Sequence, residues 1–333
     1  MSDKAYSTIH INEKIQICED IYEYKREVVP LIKNQREIWV EKLNEIVEGK
    51  GYSKTKFAEL CGVSRVAVNK WFNGAIPRQR ELYIRIGLAA GYNLEEMNNF
   101  LIRYGRYQGL YAKCLEDSVC IYLLNADYLE HDYETYSEIL SSIKELILNR
   151  REEEKNAYET VYVMDSLNKI ASKSELYKFI EENAGIYEMQ YNKFYNYVLA
   201  FLQVNKMNLG DNKQTSTHFM ANGQGWSSSL RQCVSAINQR KWYPVRDKVI
   251  SLGLHLNMDV DQINEMLRLT YMEELCAKNL FESAIIYALE NAKLEDVIFC
   301  DGTDELCMYV RDVLLDLELE EVEFFLEELP DDY

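Results

Sequence analysis

Residues 54–77, Lys-Thr-Lys-Phe-Ala-Glu-Leu-Cys-Gly-Val-Ser-Arg-Val-Ala-Val-Asn-Lys-Trp-Phe-Asn-Gly-Ala-Ile-Pro, constrain this chain more than any other stretch. They predict two short helices around a tight turn. Ser64 is placed to cap the second helix by accepting a backbone N–H bond. Val68, Trp71 and Phe72 lie three and four apart, share one face, and should pack on Phe57, Ala58 and Leu60 of the preceding helix. Arg65, Val66, Asn69, Lys70 and Asn73 fall on the opposite face. Gly62 suits the turn, where a side chain would crowd the backbone. Asn73-Gly74 ends the helix and Pro77 precedes the next one, so the second helix is expected over residues 64–73.

The rest of the chain points the same way. It is poor in Pro (4) and Gly (14), and its apolar residues recur at helical spacing. Leu94, Met97, Leu101 and Tyr104 mark one stripe, and Val260, Ile263 and Leu267 mark another. No sustained alternation of period two occurs, which predicts an all-α fold. Two breaks are expected: the solvated charge run Arg150-Arg-Glu-Glu-Glu-Lys, and a loop-forming stretch over residues 207–226. Apolar runs such as 197–204 are far too short to span a membrane. The N-terminus lacks the apolar core of a secretory signal, so a cytoplasmic location is expected.

Eight cysteines and four histidines contain no Cys-x-x-Cys pair, so buried thiols rather than a metal site are expected, and no cofactor. Asn222-Gly-Gln-Gly-Trp lacks the Gly-Lys-Ser/Thr ending of a phosphate loop. The pairs Glu95-Glu96 and Glu320-Glu321 sit in helical charge patterns, and His131, His218 and His255 have no catalytic neighbours. The many tyrosines, on helical stripes, are expected in the core. No constellation supports an enzyme.

The chain also repeats itself. Ile86-Gly-Leu-Ala-Ala-Gly-Tyr-Asn-Leu-Glu-Glu-Met-Asn-Asn-Phe-Leu aligns with Leu252-Gly-Leu-His-Leu-Asn-Met-Asp-Val-Asp-Gln-Ile-Asn-Glu-Met-Leu. Ala112-Lys-Cys-Leu-Glu-Asp-Ser-Val-Cys-Ile-Tyr aligns with Ala277-Lys-Asn-Leu-Phe-Glu-Ser-Ala-Ile-Ile-Tyr, and Arg80-Glu81 with Arg246-Asp247. The offset is 165–166 positions. Two pseudo-repeat halves follow. Residues 1–165 contain the helix pair of 54–77 and a helical extension. Residues 166–333 contain a degenerate counterpart (about 194–270) and an acidic tail.

The formal charge of −18 argues against a nucleic-acid partner at first sight, but the distribution does not. Lys50, Lys54, Lys56, Arg65, Lys70, Arg78, Arg80 and Arg85 face only Glu59 and Glu81 within residues 50–85. A basic patch is a local field, and a distant acidic tail is largely screened from it.

The pair of helices meets the sequence requirements of a helix-turn-helix, whose second helix enters the major groove of double-stranded DNA. Arg and Asn are side chains that read guanine and adenine edges bidentately. The chain resembles the Cro-type phage-repressor family over about residues 36–104. The resemblance is carried by Phe57-Ala-Glu-Leu-Cys-Gly-Val-Ser-Arg, Val68-x-x-Trp71-x-x-Gly74, Pro77 and Ile86-Gly-Leu-Ala-x-Gly-Tyr-Asn-Leu-Glu-Glu-Met. It implies a bundle of about five helices and transcriptional regulation. It also implies base reading by Arg65, Val66 and Asn69, with Ser64, Lys70 and Asn73 beside them. Phosphate contacts are expected from Lys54, Lys56 and Arg78; at Lys54 the family usually has Gln.

Residues 218–244 stand where a second copy should be, with the Ala-x-x-x-Gly-Val-Ser core blurred. Arg231, Arg240, Lys241, Arg246 and Lys248 keep the region basic. It is either a divergent second DNA reader or a relic kept for packing and protein partners, and its erosion favours the relic. The tail over residues 315–329 is expected as an amphipathic acidic helix that packs on the body or competes for a basic face. Pairing of heads through a homodimer or within the chain stays open, as does an adaptor role without DNA.

Overall fold

The computed structural model describes residues 7–126, 128–148, 160–188, 191–208, 217–242, 244–294, 305–319 and 322–330. Among these, the regular structure is helical and no strand occurs. The chain opens with α1 (Thr8–Ile17), α2 (Ile21–Glu27) and α3 (Gln35–Lys50). Next come α4 (Lys54–Leu60), α5 (Arg65–Phe72), α6 (Arg80–Ala89) and α7 (Leu94–Gly105). They are followed by α8 (Leu115–Asn125), α9 (Tyr133–Leu148), α10 (Thr160–Leu167), α11 (Lys173–Glu182) and α12 (Ala184–Glu188). The remainder holds α13 (Asn192–Asn208), α14 (Thr217–Gly223), α15 (Ser228–Asn238), α16 (Arg246–His255) and α17 (Val260–Leu269). Finally come α18 (Leu280–Leu294), α19 (Glu305–Asp316) and α20 (Glu323–Leu326).

Packing divides the chain into an inserted unit, Trp39–Asn192, and a discontinuous unit made of Met1–Ile38 and Lys193–Tyr333. This is a different partition from the repeat halves at 165/166. α10 packs on α8 and α11 on α9, whereas α1 packs on α18.

In the inserted unit, Trp39, Tyr83, Phe100 and Tyr107 are buried and form one aromatic cluster, with ring centroids 5.7–6.0 Å apart around Tyr83. The tyrosine hydroxyls stay useful inside the core. Tyr83 donates to the Pro77 carbonyl at 2.8 Å and Tyr107 donates to that of Arg78, which pins the segment following α5. α7 starts with a capping box in which Asn93 and Glu96 satisfy each other's backbone N–H groups.

A buried ion pair anchors α6 to α8. Arg80 donates to the Asp117 carboxylate, which also accepts the Tyr111 N–H at 2.8 Å. The second Arg80 amino group reaches the Gln108 carbonyl at 3.3 Å. In the discontinuous unit, Arg246 donates to Glu282 at 2.8 and 2.9 Å, Glu282 accepts the Cys276 N–H, and Arg246 reaches the carbonyls of Glu273 and Glu274. The side chain of Asn98 accepts the Leu110 N–H and that of Asn264 accepts the Leu275 N–H. Gly87 and Gly253 each admit a close neighbour: an added Cβ would lie 2.5 Å from Met97 Sδ in one and 2.7 Å from Ile263 Cγ1 in the other. These contacts are set by residues that occupy matching positions in the two aligned segments.

Two expectations need correction. Within the stretch 207–226, Met207 and Asn208 end α13 and 217–223 form α14, where a loop was expected. Burial of Met220 and Ala221 outweighs the poor helix propensity of the Asn and Gly around them. The tail is not one helix over 315–329. α19 ends at Asp316, Glu318 takes a left-handed backbone (φ 48), and among the described residues that follow, only the short α20 is helical. Val322, Phe325 and Leu329 are buried, and Arg311 donates to the Leu326 carbonyl at 2.7 Å, so the tail packs on its own unit. The charge run from Arg150 and the pair Glu320-Glu321 lie outside the described residues.

Candidate nucleic-acid interface

α4 and α5 make a tight two-helix motif. Ser53 caps α4 by accepting the Lys56 N–H, and Ser64 caps α5 by accepting the Ala67 N–H at 3.2 Å. Between them the Val63 N–H donates back to the Ala58 carbonyl at 3.0 Å, and Gly62 sits in the left-handed region (φ 61). Phe57, Ala58, Val68 and Trp71 are buried together, while Leu60 and Phe72 are half-buried at the margin. Asn73 caps the C-terminus, so α5 with its caps spans the expected 64–73.

The outward face is the opposite one. Ser64, Arg65, Val66, Asn69, Lys70 and Asn73 are all exposed, as are Lys54, Lys56 and Arg78. Val66 is 65% exposed. The structure therefore brings all nine candidates to the surface. The Lys54 ammonium lies 4.2 Å from the Phe72 ring centroid, and Lys56 pairs with Glu59 at 3.6 Å. Both are solvent-exposed interactions of modest strength.

Arg80 and Arg85, which the charge count includes, serve other purposes. Arg80 is buried on Asp117. Arg85 pairs with Glu81 at 2.7 Å, donates to the Gly62 carbonyl at 3.0 Å, and stacks 3.9 Å over the Tyr133 ring. That ring lies against the Gly62 backbone, and an added Cβ would meet its Cδ1 at 2.6 Å. Arg85 and Tyr133 thus brace the turn from behind, a role no local signal announces. Gly62→Ala is expected to lose about 1–2 kcal/mol to the left-handed backbone alone, with displacement of Tyr133 adding to it. An unchanged denaturant midpoint would contradict this account of the turn.

Cys61, at the end of α4, is fully buried, and burial pushes its thiol up to about 12. It stays a neutral, inert packing group. Cys18, Cys114, Cys120 and Cys307 are also buried, and no disulfide joins the described cysteines. Among the described residues no group of His, Cys, Asp and Glu could hold a metal ion, and no helix is long and apolar enough to cross a membrane.

Caps, turn and packed face together define a helix-turn-helix domain within an all-α chain. Residues 43–84, from within α3 to within α6, match the helix-turn-helix family of Cro/C1 type. That is a DNA-binding regulator family rather than an enzyme family. No curated protein and no solved structure matches the chain.

Proposed function

We propose that the chain is a sequence-specific DNA-binding regulator of transcription that lays α5 in the major groove. The observation that carries this reading is the outer face of α5. Arg65, Asn69, Lys70 and Asn73 are exposed on one side of a rigidly capped helix, and no internal hydrogen bond or ion pair of their side chains is found among the described residues. Their chemistry is that of base-edge readers, and desolvating them against DNA is compensated by the donors and acceptors of the groove. In this reading Arg65, Val66 and Asn69 meet base edges, Lys70 and Asn73 assist, and Lys54, Lys56 and Arg78 hold the backbone in register.

Site selection from random duplexes, followed by gel shifts at several salt concentrations, tests the proposal. Arg65→Ala or Asn69→Ala should each weaken binding to the selected site by about 1–3 kcal/mol and relax its sequence preference. Lys54→Ala should weaken binding to all sequences alike and flatten the salt slope by about one unit. Failure to enrich any site would favour the rival reading, supported by the −18 charge, of a helical adaptor that binds protein partners without DNA.

A further inference from the structure

In the discontinuous unit, the turn and the serine cap of the α4–α5 motif recur between α14 and α15. α14 and α15 are joined by a turn in which Gly225 is left-handed (φ 64), as Gly62 is (φ 61). The Trp226 N–H donates to the Ala221 carbonyl at 2.9 Å, as Val63 does to Ala58 at 3.0 Å. Ser227 caps α15 through the Leu230 N–H at 2.9 Å, as Ser64 caps α5 through that of Ala67. After the second helix, the Lys241 N–H donates to Ala236 at 2.9 Å, as Ala75 does to Lys70 at 3.0 Å. Leu230, Val234 and Ile237 bury the inner face. α15 has 11 residues against the 8 of α5, almost one extra turn.

We infer that α15 is a second DNA-reading helix, with Ser228, Ser229 and Gln232 in the places that Arg65, Val66 and Asn69 occupy after their capping serine. This rests on the proposed role of α5, since that role supplies the positions. Three observations support it. Ser228 and Gln232 are exposed and Ser229 is half-buried, so the register puts polar side chains outward. Gln can bond adenine bidentately and Ser can meet either base of a pair. Charge is the third: in a chain with 55 acidic residues, none falls between Asp211 and Asp247. Arg240 and Lys241 are exposed at the far end of α15, a basic rim suited to a polyanion.

The described tail residues 322–330 leave this face open. Glu328 accepts from Ser227 and Lys248 at the turn, and Gly225 lies against Pro330, yet Ser228 and Gln232 remain exposed. The tail braces this turn from behind, as Tyr133 braces that of Gly62. The sequence erosion that suggests a relic touches the turn and brace, not the ability of the outer face to bond.

Because the two reading faces differ, one chain should recognise a composite site of two unlike blocks rather than a palindrome. Site selection with the full chain is expected to enrich two blocks. Ser228→Ala with Gln232→Ala, both on an exposed face, should relax one block and weaken binding about tenfold. Arg65→Ala with Asn69→Ala should relax the other, with circular dichroism unchanged in both variants. A single enriched block, insensitive to the α15 variant and lost in the α5 variant, would overturn the second reader and leave the first standing. Loss of a block in the α15 variant alone, with no effect of the α5 variant, would overturn the first and keep the second. No enrichment would overturn both.

Discussion

Asp117→Ala is expected to destabilise the inserted unit by about 3–5 kcal/mol, measured by urea denaturation. The carboxylate is buried (1% exposed) beside Arg80 (7% exposed), and its second oxygen accepts the Tyr111 N–H. Removing it leaves a guanidinium in a low-dielectric interior without its counter-charge and an amide without its acceptor. Such a loss exceeds that of any surface ion pair in the chain, because solvent cannot replace the partner. The pair itself need not add net stability over apolar packing. Arg80→Met combined with Asp117→Leu should therefore lose less than Asp117→Ala alone. A double variant as unstable as the single one would show that the carbonyls of Gln108 and Gly109, rather than the charge of Asp117, are what Arg80 chiefly satisfies.

Trp71→Ala is expected to lose about 3–5 kcal/mol and to abolish DNA binding, although Trp71 belongs to the face turned away from the proposed groove. Its ring is 5% exposed and fills the angle between α4 and α5 with Val68 and Phe57, both at 0%. Without it, α5 loses the contact that fixes its orientation, and a helix of 8 residues has too few hydrogen bonds to persist by itself. Arg65→Ala gives the contrasting result: weaker binding with unchanged stability. Denaturation and gel shift on the same two variants separate the packing face from the proposed reading face. Trp71→Ala protein with intact stability would refute the packing argument.

The helix-turn-helix was legible in the sequence because its determinants are local. Ser64, Gly62, Asn73 and the spacing of Val68, Trp71 and Phe72 act within one or two turns of chain, and the same spacing leaves Arg65 and Asn69 outside. What stayed hidden depends on distant partners. Arg80 and Arg85 look like members of a basic patch until Asp117 and Tyr133 arrive beside them. Arg246 and Lys248 mislead in the same way, being engaged by Glu282 and Glu328. Local composition also misjudges α14, whose polar and glycine-containing sequence is helical because Met220 and Ala221 are covered. The aligned segments led to an expectation of two repeat halves, yet they held no sign that α1 and α2 pack with α18.

That last arrangement matters during synthesis. Tyr24 donates to Ser283, 259 positions later, and its ring lies 4.5 Å from that of Tyr287. A ribosome delivers the whole of the inserted unit before α18 exists, so α4 and α5 can fold while α1 and α2 still wait for their partner. Throughout that interval α1 and α2, whose Ile11, Ile15 and Tyr24 are buried in the finished protein, lack α18 as a partner. The nascent chain thus has the proposed reading helix before α1 and α2 have the partner that packs on them.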